Sequence, residues 1–510
     1  MINAQFPLLS MMLWLPLLGA FIVGLSNNDR RARILAVIFA GLECLITLGI
    51  FIDFDGLQGA EFQFVERYAW IPGMHIEFLV GIDGISVLFL PMTALLTLLS
   101  IIASWNSIKT LPRLYFALLL ALESATLGIF SALDMMLFFL FWELTLPPLF
   151  FLISLWGIGA QRRSAAMKYT LSMLAGGVPL LFAILILALK HGPVTGNDTA
   201  QTMLFDFPVL LNTELPAPWQ PWVFGLLLLG FAIKAPIVPL HTWLPTVALE
   251  GPAQITALLT GLKLGLYGII RFAVPFAPTA ATQYLELLSI LGAITLLYAA
   301  LIALHQTNFR RLLAFASISH VGLVMMGLAS GNLQGIQGAL LQLFNFTCIA
   351  SALMLISGFI QQRLGTTEAI HLGGLAKVMP RLTSVYFVLM LASIGMPGTS
   401  GFPAELLLIL GTLFNNPALG IIALIGAILN AAYMLSFTRR AFLGPVVHAP
   451  VAKTQDLLPR ELAVLALPTL LVIAVGLCPR LILDTTQHAA EAWLRHINPH
   501  TNAIKSSLGE

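Results

Sequence analysis

Apolar runs long enough to cross a bilayer recur along the whole chain, separated by short polar stretches. They fall near residues 7–25, 33–53, 79–102, 113–131, 133–156, 167–189 and 221–241. A second series falls near 252–274, 284–304, 311–329, 334–360, 381–413, 418–438 and 461–482. A helical span needs about 20 predominantly apolar residues, so the pattern predicts fourteen transmembrane helices. Of the 510 residues, 58% are hydrophobic and only 9% charged, which excludes an ordinary soluble domain. The expected fold class is an all-α polytopic membrane protein. The first apolar run has no basic region before it and no small-residue cleavage site, while Arg30, Arg31 and Arg33 follow it. That is the pattern of a first membrane helix rather than of a signal peptide.

Charge fixes an orientation. Alternate loops collect Arg30, Arg31, Arg33, Lys109, Arg113, Arg162, Arg163, Lys168, Arg310, Arg311, Arg363, Lys377, Arg381, Arg439, Arg440, Lys453 and Arg460. The opposite loops hold only Arg67, Lys190, Arg271, Arg480, Arg495 and Lys505. The positive-inside rule then puts both termini outside, with the polar tail after Pro479 on the surface as a short interfacial helix. The net charge of +2 points to no nucleic acid; the expected surroundings are the lipid bilayer and other membrane subunits. Cys44, Cys348 and Cys478 are far apart, and only His320 lies well inside a span, so no iron–sulfur, haem or metal site and no cofactor of its own is expected.

Two spans carry helix breakers near their middles. In one, Pro236 and Pro239 follow Lys234; in the other, Pro397, Gly398, Gly401 and Pro403 precede Glu405. Each proline removes a backbone N–H and crowds the carbonyl four residues earlier. Interrupted helices are tolerated at membrane depth where they line a protein-walled or watery cavity. Paired interruptions suggest two inverted repeats, roughly residues 113–275 and 284–440, after N-terminal helices in 1–112 and before a last helix and tail in 441–510.

The titratable residues inside spans carry the chemistry. A charged side chain at membrane depth costs about 2.5 kcal/mol or more and usually marks a path for charge. Glu143 opposite Lys234 would form a pair in which each partner favours the charge of the other. Drawing Glu143 away changes how Lys234 holds its proton. A thousandfold change in that hold is worth about 4 kcal/mol, and lifting a proton against about 150 mV costs about 3.5 kcal/mol. One ion pair could therefore drive one proton step; the alternative is a pair that only locks two helices. Lys263 is either a snorkelling lysine or the next station, and its mid-span position favours a station. His320 is either a packing residue or a relay, sharing a helix face with Ser317 and having Ser319 beside it to hold water. Glu405 is the candidate terminal carboxylate, Glu123 a buried acid that tunes the path, and Glu43 has no assigned role.

These residues stand in motifs that resemble the antiporter-like subunits of respiratory complex I, the proton-pumping NADH:quinone oxidoreductase. The resemblance rests on Phe141-Trp142-Glu143-Leu144, the run from Lys234 to Pro245, and Gly81-Ile82-Asp83-Gly84-Ile85-Ser86. It rests also on Ala103-Ser104-Trp105, Arg310-Arg311-Leu312, Ser317-Ile318-Ser319-His320-Val321-Gly322 and Pro397-Gly398-Thr399-Ser400-Gly401-Phe402. It covers nearly the whole chain. It implies fourteen helices, two inverted repeats and a proton path through Glu143, Lys234, Lys263, His320 and Glu405. It implies a bacterial inner membrane and sister antiporter-like subunits as partners, with protons and internal water as cargo. Against the family pattern, Thr246-Val247-Ala248 replaces a usual Asp-Ala-His, and Asn308 a usual aspartate. Asn345 stands where a histidine is common; it can bond water but cannot carry a proton charge. The altered stretch from Thr246 to Gly251 favours a second reading. There the same proton module serves a membrane hydrogenase, a cation/proton antiporter or an inorganic-carbon uptake system. A Na⁺-specific path is disfavoured, because the buried centre is lysine and not a cluster of oxygen ligands.

Overall fold

The computed structural model describes residues 2, 6–190, 203–213 and 215–497, so Lys505 falls outside the described residues. Eleven of the helices described are long and apolar enough to cross a membrane. The chain starts with α1 (Leu8–Leu25) and α2 (Asp29–Asp53), the latter capped by Asn28, whose side chain accepts from Arg30 N. An antiparallel ribbon follows, β1 (Gln63–Ile71) and β2 (Ile76–Ile82). The Glu66 carboxylate on β1 accepts from Leu9 N at 2.8 Å, placing an anion at the positive end of α1. The apolar window at 79–102 therefore starts on a strand: β2 is largely buried, and α3 begins only at Phe89 (Phe89–Ala103). A buried strand has no polar alternation, so its hydropathy merges with that of the next helix.

Then come α4 (Pro112–Ser131), α5 (Met135–Leu144), α6 (Leu146–Trp156), α7 (Arg162–Lys190), α8 (Gln220–Lys234) and α9 (Trp243–Glu250). Next are α10 (Ala253–Gly261) and α11 (Leu264–Gly268), the latter running on through a π turn at Ile269–Ala273. The second half holds α12 (Pro278–Leu304), α13 (Phe309–Ala329), α14 (Leu333–Asn345), a π turn at Phe346–Ala350 and α15 (Ser351–Leu364). It ends with α16 (Pro380–Ser393), α17 (Gly401–Asn415), α18 (Pro417–Ala441), α19 (Pro459–Leu477) and α20 (Arg480–Ile497). Each of the fourteen apolar windows contains a helix. Three windows contain none of the long spans: one holds the short α3, one holds α8 and the break that follows it, and one holds the interrupted pair α16–α17. The tail helix α20 buries Ile482, Ala489, Trp493 and Ile497, and Trp493 Nε1 donates to Ile270 O at 2.7 Å.

The breaks are satisfied internally. Past Lys234, Ile237 N reaches back to Ala232 O, and the freed Ile233 carbonyl accepts from the Trp243 indole N–H at 2.8 Å. Between α16 and α17, Gly395 and Gly398 take positive φ (70° and 88°), which glycine adopts without a Cβ penalty. A Cβ on Gly401 would lie 1.9 Å from Ala392 O, so glycine is required where α17 leaves the break. The sequence did not flag a third break, at Leu262-Lys263 between α10 and α11, where Thr347 Oγ1 donates to Gly261 O at 3.2 Å.

The apolar interior is divided into two layers. One contains Leu122, Leu146, Leu258, Ile318 and Ala404; the other contains Leu127, Trp142, Leu264, Val321 and Leu408. Five of the places where the chain passes from one layer to the other bracket a titratable residue: Glu123, Glu143, Lys263, His320 and Glu405. Lys234 sits at the same change, between Ile233 and Ala235, and Asn430 lies between Ala423 and Tyr433. A polar seam thus runs between two apolar layers.

Candidate functional site

At the first centre, α8 ends at Lys234, which puts a cation at the negative end of a helix. Its ammonium donates to Thr145 Oγ1 at 3.0 Å and to Trp142 O at 3.4 Å, and lies over the Trp142 ring at 3.8 Å from the centroid. A desolvated cation over an indole gains about 2 kcal/mol. Thr145 can accept because its own hydroxyl hydrogen goes to Trp142 O at 2.8 Å. Glu143 is an electrostatic neighbour of Lys234, yet the described residues contain no direct ion pair between them. Its Oε1 is buried without a hydrogen-bond partner among the described residues. That oxygen instead lies against Gly177 of α7, where a Cβ would come within 2.3 Å of it. The two partners expected from the sequence are thus neighbours held apart, each by its own contacts.

A cavity of about 30 Å³ beside Lys234 is lined by Thr126, Thr145, Tyr169 and Trp243 and reaches Leu262 and Leu264, which flank Lys263. It is large enough for water. Lys263 sits at the α10–α11 break, 4% exposed, with no hydrogen-bond partner for its Nζ among the described residues. Its ammonium lies 4.9 Å from the centroid of Phe346, in the π turn after α14. The His320 ring meets the same phenyl ring edge to face, at 6.3 Å between centroids. Phe346 therefore stands between the central lysine and the histidine.

The second centre is closed. His320 Nδ1 contacts Ala316 O at 2.9 Å, and Nε2 lies 3.2 Å from Glu405 Oε1 and 3.1 Å from Asn430 Nδ2. Glu405 Oε2 occupies the space beside Gly395, where a Cβ would stand 2.5 Å from it. A second cavity of about 30 Å³ is lined by Ser317, His320, Gln342, Asn345 and Glu405. Ser317 Oγ is buried without a partner beside it, as a water-holding hydroxyl would be. Ser319 does something else: it donates to Leu296 O at 3.1 Å and ties α13 to α12. Asn345 is bonded both ways to the α16–α17 break, accepting from Ser400 Oγ at 2.6 Å and donating to Ser400 O at 3.1 Å.

Glu123 does not join these centres. Its electrostatic neighbour is Glu43 of α2, and all four oxygens of the two carboxyls are buried without partners among the described residues. Sequence reasoning missed Thr145, Gly177, Phe346, Gly395, Ser400 and Asn430. Of these, only Asn430 carries a visible signal, an amide in the middle of an apolar span.

Chains of similar sequence carry the same architecture. A family model described as "NADH:quinone oxidoreductase/Mrp antiporter, TM" matches residues 132–430, which include both centres. The NADH-quinone oxidoreductase subunit M of Rickettsia conorii is 34% identical over 496 residues, covering 96% of this chain and 98% of that one. The NAD(P)H-quinone oxidoreductase chain 4 1 of a Synechococcus strain is 36% identical, covering 97% and 94%. A chain of respiratory complex I from Thermus thermophilus superposes with a TM-score of 0.87 at 31% identity, covering 96% of this chain and 99% of its own. A chain of the Mrp complex from Dietzia sp. shares the fold, with a TM-score of 0.81 at 23% identity. With the match spanning the interrupted helices, the seam and both centres, this chain belongs to the family of NADH:quinone oxidoreductase and Mrp antiporter membrane subunits.

Proposed function

We propose that this chain conducts protons across a bacterial inner membrane as the M-type subunit of an NADH:quinone oxidoreductase, powered by chemistry in other subunits. The observation that carries this reading is the seam: Lys234, Lys263, His320 and Glu405 lie buried between two apolar layers, with water-sized cavities at both ends. Buried ionisable groups in a membrane interior mark charge pathways. Glu143 moves between Gly177 and Lys234 as the gate of the first step; Lys263 passes the proton on; His320 and Glu405 release it. The interrupted helices of residues 113–275 and 284–440 belong to two inverted repeats, and the redox centres belong to partner subunits. The loop charges orient both termini to the periplasm. The test is Lys263→Met in the purified complex in proteoliposomes. Proton uptake per NADH oxidised is expected to fall to background with assembly intact; unchanged pumping overturns the reading.

The second reading, the same module in another energy-coupled assembly, draws on the altered stretch at Thr246. Lys168 Nζ donates to Thr246 Oγ1 at 3.1 Å and to Thr242 O at 2.9 Å, with a neutral hydroxyl as acceptor at the position where the family pattern has aspartate. Mass spectrometry of what co-purifies from mildly solubilised membranes decides. Flavin and iron–sulfur subunits support the first reading; hydrogenase, cation-antiporter or zinc hydratase-like subunits support the second.

A further inference from the structure

His320 meets two groups of opposite character at one nitrogen. Ala316 O can only accept, so Nδ1 carries a hydrogen and donates to it at 2.9 Å. Nε2 is then the atom that gains and loses the proton. It faces Glu405 Oε1 at 3.2 Å, which accepts, and Asn430 Nδ2 at 3.1 Å, which donates. The orientation of the amide is fixed, because Asn430 Nδ2 also donates to Ser393 O at 2.5 Å, a carbonyl that would repel the oxygen end. Asn430 thus has one hydrogen for Ser393 and one for His320.

The two contacts at Nε2 exclude each other. With Nε2 bare, its lone pair accepts from Asn430 and Glu405 gains nothing from it. With Nε2 protonated, its hydrogen goes to the Glu405 carboxylate, and the Asn430 N–H faces a donor. We propose that Asn430, on α18, is a positioning residue that holds the deprotonated state of His320 against the pull of Glu405, so that the relay resets after each proton. This rests on the reading that His320 carries protons. It adds a residue from a helix that supplies none of the five stations.

The groups facing His320 are few. Glu405 faces it from α17, and Asn430 from α18; Tyr433, three residues along α18, is an electrostatic neighbour of Glu405 and has an unpartnered hydroxyl. Ser317 lies on its own helix, and Lys263 lies beyond Phe346. Without Asn430, the hydrogen bond to Glu405 is the one polar contact left to Nε2, and the charged pair outlasts its turn.

The experiment is Asn430→Leu in the intact complex, with ¹⁵N-histidine labelling and a His320→Gln control to assign the ring signal. A lost hydrogen bond of ordinary strength changes a two-state population about tenfold. The imidazolium signal of His320 is therefore expected to persist to a pH about one unit more alkaline than in the unsubstituted chain, with proton transport slowed about tenfold. If the leucine variant does not assemble, Asn430→Ala is measured in its place; it removes the donor without adding a charge, and a shift in the same direction is expected. An unchanged His320 titration in the variant that assembles overturns the proposal. The spectroscopic readout does not depend on transport. Should the unsubstituted complex pump no protons through this chain, the functional reading falls while the Asn430 shift can still be read.

Discussion

The centre at Lys234 and the centre at His320 use the same parts and stand in different states. In each, a base lies beside a break in a helix, and a buried carboxylate is pressed against a glycine of a neighbouring segment: Glu143 against Gly177, Glu405 against Gly395. At the first, the cation turns to Thr145 and Trp142 and leaves the carboxylate alone. At the second, the carboxylate has closed onto the imidazole. The difference lies in reach: Glu405 touches its glycine with one oxygen and its base with the other, whereas Glu143 touches its glycine and makes no hydrogen bond to its base. A glycine surface gives an acid a place to wait that involves neither hydrogen bond nor charge, so a small input can move it onto its base. A pair of buried charges held apart is costly, and closing it recovers Coulomb energy.

The comparison can be broken at several points. Lys234→Met removes the first base; proton transport measured in proteoliposomes is expected to drop to background while the subunit still assembles. Gly395→Ala attacks the second carboxylate's resting place. A non-glycine residue at φ 70° and a Cβ 2.5 Å from Glu405 Oε2 should together cost about 2–3 kcal/mol, read as a lower unfolding temperature. Gly177→Ala has no backbone strain to add, so its stability loss should stay near 1 kcal/mol. Its transport is expected to fall severalfold as Glu143 is pushed from its resting place. Equal thermal losses for the two glycine variants would break the distinction drawn here. Trp243→Phe strips the Ile233 carbonyl of its donor beside Lys234; about 1–2 kcal/mol of stability should go. Smallest is Ser319→Ala, which breaks a helix tie worth about 0.6 kcal/mol in a membrane interior and leaves proton transport near normal. A large transport defect in that variant would return Ser319 to the path.

Much of this was legible in the chain, for a physical reason. Spans are long uniform apolar runs, and a lysine or glutamate inside one is costly enough to stand out. The Pro236 and Pro397 breaks announced themselves because proline removes a backbone donor. The break at Lys263 did not, since it involves no proline; α10 simply yields to the bond from Thr347 and to the close approach of Gly265 to Ala235. The contacts of the ammonium groups were hidden as well. Spacing along a chain says which residues share a face, but Thr145 and Phe346 are chosen by how separate helices meet. The strand β2 passed for the start of a helix because both of its faces are buried. Asn345, read as a group that cannot carry a proton charge, also fastens the α16–α17 break through Ser400, a tie that spacing along the chain does not show.

The layered interior has an electrical consequence. Its titratable residues stand where the chain changes from one apolar layer to the other, so they follow one boundary through the interior. If that boundary lies along the bilayer plane, a proton on the proposed path from Lys234 toward Glu405 moves along a nearly isopotential line. The membrane voltage, about 2.3 kcal/mol per charge per 100 mV, does almost no work on that passage. The work is confined to the short climbs between the seam and either surface. Lateral transfer can then be fast and reversible at any voltage, and the gate that the voltage opposes is placed where the proton joins or leaves the seam.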